Sequence, residues 1–221
     1  MLLLALDTST SAITVALHDG STVLAEASTI DPRAHGERLA PGIRAVLDEA
    51  SAAPGDLTHI VCGLGPGPFT GLRVGIVTAR VLALATGASL HGLCSLDALA
   101  AAVDAATAGE VLVATDARRK EVYWARYAVS AGSVVALSAP AVARPADLPE
   151  GVRALPALGR GPLLYPEFFP APHGPLDVRA GVLAELAVSR LGAGDALADR
   201  EPLYLRRPDA TPHVVAKSAL G

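Results

Sequence analysis

Residues 2–6 form an unbroken apolar run that ends on Asp7, the pattern of a strand covered on both faces of a sheet. Weak alternation over residues 12–18 and a further run at 22–28, joined through Asp19-Gly20, predict a hairpin beside it. A helix is expected from about residue 35 to 51. Leu39, Ile43, Val46, Leu47 and Ala50 recur there at helical spacing, Arg44 and Asp48 stand four apart, and Pro54-Gly55 ends the segment. A strand at 58–64, a long apolar helix at about 68–86 stopped by Gly87, a strand at 89–94 and an alanine-rich helix at 95–107 follow.

The pattern then restarts. Val111 to Asp116 is again an apolar strand ending in Asp, followed by a hairpin whose second arm carries Val122 to Tyr127 and whose tip carries Arg118, Arg119 and Lys120. The recurrence predicts two related lobes, residues 1–108 and 109–221, alike in architecture more than in sequence. Residues 138–176 are rich in Pro and Gly, with a short strand expected within 154–159. A helical pattern returns over 176–192 through Leu176, Val182, Leu183, Leu186 and Leu191, and the tail from Glu201 reads as irregular.

Composition narrows the function classes. At 221 residues with 51% hydrophobic and 18% charged residues, the chain has ample material for a packed core. A net charge of -4 argues against a chain that holds nucleic acid by itself, since such domains are usually basic. Cys62 and Cys94 sit in separate apolar runs outside any CxxC pair, which fits a reducing, cytoplasmic setting. The opening apolar run is too short for a signal core or a membrane span and reads as a buried first strand.

Candidate chemistry centres on two turns. Gly63 to Arg73 joins an apolar strand to the long helix through a glycine-rich turn, the type of connection that often cradles phosphate. Pro66 and Pro68 each remove a backbone N–H, however, and no Lys follows the last glycine. The turn therefore reads as a rigid helix start, with Gly67 as N-cap and Pro68 as first helical residue. Asp7, Thr8, Ser9, Thr10 and Ser11 place a carboxylate and four hydroxyls after the first strand, where actin-like ATPases hold phosphate and Mg²⁺, but these residues are also common turn formers. Asp116 is the matching carboxylate of the second half without the following hydroxyls, and the basic tip beside it reads as solvated. The six histidines never stand four apart and no GxSxG elbow occurs, so neither a metal site nor a nucleophile is expected. The helix near 69–85 is apolar around most of its circumference, more than the one stripe needed against a sheet. The surplus is covered either by the chain's own helix at 35–51 and second half or by another protein.

The segments LALDTST, HGERLAPGIRAVLDEA, GLGPGPFTGLRVG, DARRKEVYWARY and PLYLRR together resemble the TsaB (YeaZ) family across nearly the whole chain. The family usually has Ser where this chain has Pro68. The resemblance implies an α/β, actin-like ATPase (ASKHA) fold of two ribonuclease-H-like lobes, each with a mixed sheet flanked by helices. It implies a non-catalytic subunit in the synthesis of N6-threonylcarbamoyladenosine (t6A) on tRNA, paired with the catalytic paralogue TsaD or with a second copy of itself and recruiting the ATPase TsaE. Cofactors are then expected to be absent here, with ATP and metal on the partner subunits, and tRNA reached only through the complex. The two first-lobe helices would form the interface, through His35, Leu39, Ile43, Val46, Phe69, Leu72, Arg73, Ile76 and Arg80. Asp7, Thr8, Ser9, Gly65, Gly67 and Thr70 would be a vestigial nucleotide loop. The rival readings are an ATP-binding enzyme using those same residues and, less favoured, a peptidase.

Overall fold

In the computed structural model, β1 (Leu3–Asp7) lies at the centre of a five-stranded sheet, and residues 1–104, 109–130, 133–195, 197 and 201–206 are described. The sheet runs in the order β3-β2-β1-β4-β5, with β2 (Ala12–His18), β3 (Val23–Ile30), β4 (His59–Gly63) and β5 (Ser89–Leu93). β1 pairs antiparallel with β2 and parallel with β4. All five residues of β1 are buried because the two faces of the sheet meet separate cores. Leu4 and Leu6 face α1 (His35–Glu49) and α2 (Phe69–Thr86); Leu3 and Ala5 face α3 (Ser95–Ala101) and α6 (Ala180–Gly192). A period of two thus sends alternate side chains into different layers.

The second sheet repeats this plan. β6 (Gly109–Asp116) pairs antiparallel with β7 (Val122–Ser130) and parallel with β10 (Ala157–Leu158), while β8 (Ser133–Ala136) and β9 (Ala141–Ala143) both pair with β7. Val111 and Val113 enter the same central core as Leu3 and Ala5, whereas Leu112 and Ala114 face a smaller core with Leu148 and Phe169. That outer face is covered by irregular chain and the short helices α4 (Glu150–Arg153) and α5 (Gly161–Leu164). The two sheets with their flanking helices form two lobes, each built on a mixed sheet, as the resemblance implied.

The middle layer ties the halves together. α3 follows the last strand of the first sheet yet rests on β6, β7 and β8, while α6, from the second half, rests on β1 and β2. Asp97 of α3 joins the layers: Tyr127 Oη donates to Oδ1 at 2.9 Å and Arg190 of α6 to Oδ2 at 2.9 Å. α6 begins at Ala180 rather than at 176, because Val178 is buried and Arg179 is extended. Its N-terminus is capped by the first sheet: Ala180 N–H donates to Thr14 Oγ1 at 3.0 Å and Gly181 N–H to Glu26 Oε1 at 3.0 Å. α3 is shorter than its alanine content predicts; the chain turns at Ala102, Val103 joins the core, and residues 105–107 of the expected helix lie outside the described residues. The tail runs as expected without regular structure over the described residues 201–206.

Candidate functional site

The turn after β1 is closed on itself. Asp7 is fully buried; its Oδ1 accepts from Ser9 N–H and Ser9 Oγ, both at 2.7 Å, and its Oδ2 accepts from Ser95 Oγ at 2.5 Å. Ser95 Oγ in turn accepts from Gly65 N–H at 3.0 Å, which links the glycine turn to the carboxylate. Burial pushes the Asp7 carboxyl up, against the downward pull of the Ser95 and Ser9 hydrogen bonds. Thr8 Oγ1 donates to Gly71 O at 2.7 Å and accepts from Gly75 N–H at 3.1 Å, so this hydroxyl is spent on holding α2. The approach is close enough that a Cβ on Gly63 would overlap Asp7 Oδ2, and one on Gly71 would lie 2.6 Å from Thr8 O. The helix itself starts one residue later than expected: Pro68 is extended (ψ 134°) and serves as N-cap, and Leu72 N–H donates to its carbonyl at 3.0 Å. Thr8, Ser9, Gly65 and Gly67 thus meet at one place, with Thr70 in the exposed first turn of α2 beside them.

Across from this turn stands its counterpart in the second lobe. Asp116, at the end of β6, accepts from Arg118 N–H at 2.7 Å and pairs with the Arg118 guanidinium at 3.3 Å. Arg118, Arg119 and Lys120 all have left-handed φ (62°, 52° and 61°), and the tip is exposed as expected. Gly159 follows β10 as Gly65 follows β4, again with positive φ (88°). Between the lobes lies a cleft of about 150 Å³, bounded by the two turns, the N-termini of α1 and α2, and Arg160. Arg160 and Asp177 form a bidentate pair there at 2.8 and 2.6 Å, and the hydrogen bond to Asp177 raises the affinity of Arg160 for its proton. His35 Nε2 lies 3.1 Å from Thr10 O; a carbonyl can only accept, so Nε2 carries a proton.

The first-lobe helices present a second feature. α1 and α2 lean together over an open apolar groove of about 630 Å³ whose walls include Ile43, Leu47, Val77, Val81 and Leu82. On α2, Gly71, Leu72, Gly75, Ile76 and Ala79 face the sheet, while Val77 (55% exposed), Val81 (58%) and Leu84 (88%) face solvent. Several residues expected at a partner surface therefore point inward. Leu39, Ile43, Val46, Leu72 and Ile76 are buried against the first sheet, in the same core as Leu4 and Leu6. His35 lies at the cleft rather than on the groove. Phe69, Arg73 and Arg80 lie under the chain's own tail. Tyr204 rests on the Phe69 ring at 5.1 Å, the Arg73 guanidinium lies 3.8 Å from the centre of that ring, and Arg80 pairs with Glu201 at 3.3 Å. The outward stripe at 77, 81 and 84 was legible as spacing of i, i+4 and i+7 within a helix apolar all round, but nothing in the sequence chose it over the inward one.

Neither cysteine is activated. Burial raises the Cys62 thiol well above its ordinary value and, with Asp97 nearby, pushes Cys94 up to about 12. Among the described residues no three His, Cys, Asp or Glu side chains gather as metal ligands.

Residues 22–168 match the family model for TsaD, tRNA N6-adenosine threonylcarbamoyltransferase. An uncharacterized protein of Mycobacterium tuberculosis is 42% identical over 222 residues, covering 96% of this chain and 95% of its own. The tRNA threonylcarbamoyladenosine biosynthesis protein TsaB of Escherichia coli is 40% identical over 128 residues, which is 58% of this chain and 55% of that protein. The solved structure of YeaZ from Pseudomonas aeruginosa superposes with a TM-score of 0.77 at 32% identity, covering 92% of this chain and all of that one. The chain belongs to the TsaB (YeaZ) family. In this TsaB-family chain the turn after β1 keeps its carboxylate and hydroxyls, but their hydrogen bonds run to Ser95, Gly71 and Gly75.

Proposed function

We propose that this chain is a non-catalytic subunit of the machinery that makes N6-threonylcarbamoyladenosine on tRNA, docking through the outer face of α1 and α2. The observation that carries the reading is the exposed stripe Val77, Val81 and Leu84 beside the apolar groove. A patch of that kind on a folded chain marks a protein interface. The partner is a TsaD-like catalytic paralogue of the same fold, with a second copy of this chain competing for the face in its absence. A TsaE-like ATPase joins at the junction of the two chains, and ATP, metal and tRNA are handled on the partner side. The names of the TsaB relatives and the TsaD family model support this assignment, and the inert cysteines and self-satisfied turn around Asp7 fit a chain that makes no bonds. Phe69, Arg73 and Arg80, under the tail, form the rim of the surface, whereas Leu39, Ile43, Val46, Leu72 and Ile76 support it from within.

Reconstitution with purified paralogue, ATPase and unmodified tRNA tests the reading. Nucleoside analysis should show the modified base only when this chain is added, and the chain should co-elute with the paralogue on gel filtration. Full modification in its absence would refute the role.

A further inference from the structure

We propose that Thr8 is a positioning residue for the docking face: its hydroxyl fixes how α2 sits on the first sheet, and so which apolar side the helix offers to a partner. The inference rests on the docking role proposed above. α2 is apolar on both sides, with Leu72, Ile76 and Ala79 in the core and Val77, Val81 and Leu84 in solvent. Burial of apolar surface is non-directional, so it resists a small rotation or lift of such a helix only weakly. A hydrogen bond has a preferred direction and length and resists both.

Thr8 supplies that constraint from inside the packed layer. It is 2% exposed, and its Oγ1 donates to Gly71 O at 2.7 Å and accepts from Gly75 N–H at 3.1 Å. Those two backbone groups stand four residues apart, the pair that an α-helix joins to each other, so the hydroxyl engages the ladder of α2 itself. The fit is close along a row of glycines. A Cβ would lie 2.5 Å from Ser9 O on Gly67 and 2.6 Å from Thr8 O on Gly71, and on Gly75 it would overlap Thr8 Oγ1. Thr8 is held in turn by its neighbours, because the Asp7 carboxylate accepts from the N–H and hydroxyl of Ser9 and from the hydroxyl of Ser95.

Thr14 separates this role from plain stability. It is also fully buried in the first sheet, and its Oγ1 accepts from Ala180 N–H at 3.0 Å to cap α6, on the face of the sheet away from α2. Loss of either hydroxyl removes buried hydrogen bonds, but only the loss at residue 8 acts on α2. A methyl group cannot approach Gly71 O as closely as the hydroxyl does, so Thr8→Val lifts the first turns of α2 and leaves Gly71 and Gly75 to pair with each other. Thr8→Ser keeps the hydroxyl and with it the seat of the helix.

Titration calorimetry of the full chain with the purified TsaD-like paralogue, at a temperature where circular dichroism shows every variant folded, is the test. Thr8→Val should raise the Kd about tenfold or more, and Thr8→Ser should keep it within about threefold of the parent chain. Thr14→Val should lower the urea midpoint yet leave the Kd within about twofold, because a residue that serves stability alone does not change the affinity of the folded chain. Parent-like affinity in Thr8→Val, no recovery in Thr8→Ser, or an equal loss in Thr14→Val would each overturn the inference. If Val81→Glu weakens binding and Thr8→Val does not, the docking face stands and this inference alone fails; if neither weakens it, both fail. Should Thr8→Val not fold, Thr8→Ala, which removes the hydroxyl without the overlap, is held to the same tenfold change.

Discussion

The contrast between two residues on opposite sides of α2 tests the docking face most directly. Ile76 is 4% exposed and belongs to the core under the first sheet, whereas Val81 is 58% exposed on the opposite side of the same helix. Full burial of a Val or Leu side chain gains about 1.5–3 kcal/mol. The fractions still open on Val77, Val81 and Leu84 then amount to about 1, 1 and 2 kcal/mol, some 4 kcal/mol available to a partner. At about 1.4 kcal/mol per factor of ten, the stripe is worth about three orders of magnitude in Kd. Val81→Glu removes its share and leaves a carboxylate to be desolvated, so the Kd for the catalytic paralogue should rise about 30- to 1,000-fold. The stability of the isolated chain should change by less than about 0.5 kcal/mol, as for other surface substitutions. Ile76→Ala should do the reverse, costing about 2–5 kcal/mol in urea unfolding while the folded fraction still binds. Titration calorimetry with the paralogue and urea melts of both variants give the four numbers. Unchanged affinity in Val81→Glu, or a loss of stability matching that of Ile76→Ala, would refute the assignment of this face.

Three further outcomes follow from the interior. Gly63→Ala should fail to give folded protein by circular dichroism, since its Cβ would overlap the Asp7 carboxylate that the turn is built around. The folded-state pKa of Asp7 is raised, so stabilisation by its protonated form is fully present below about pH 3.8 and is lost as pH rises through the raised folded value; Asp7→Asn should remove that decline from urea midpoints measured against pH. Iodoacetamide at pH 8 should modify neither Cys62 nor Cys94 in the native chain and both in urea, as read by intact mass, because burial holds both thiols protonated.

Much of the secondary structure was legible because local patterns carried it. β1, β2, β4, β5 and β6 fall within a residue or two of the apolar runs that predict them, and α2 ends at Gly87 with the left-handed φ of 75° that its glycine advertised. The duplicated plan was visible in two apolar strands ending in Asp, and the sheets share their pairing pattern: antiparallel to the next strand and parallel to the strand that leads into a glycine turn. The candidate sites were less legible. Asp7, Thr8 and Ser9 stood out as chemistry-bearing residues, yet their engagement with Ser95, Gly71 and Gly75 spans 63 to 88 positions of sequence. Arg160 and Asp177 were missed, since each is ordinary in its own segment and becomes a neighbour of the other only at the cleft.

Strand and helix positions, the two-lobed plan and the excess of apolar surface on α2 are properties of residue order, because periodicities of two and 3.6 are written locally. Which side of α2 faces water, which lobe each helix rests on and which hydroxyl holds α2 depend on contacts between residues distant in sequence. Gly71 and Gly75 let one side of α2 approach the turn at Thr8, and that approach turns Ile76 into core and Val81 into surface. Only the assembled sheet and its flanking helices could decide it, because both sides of that helix are apolar and only steric fit against the sheet tells them apart.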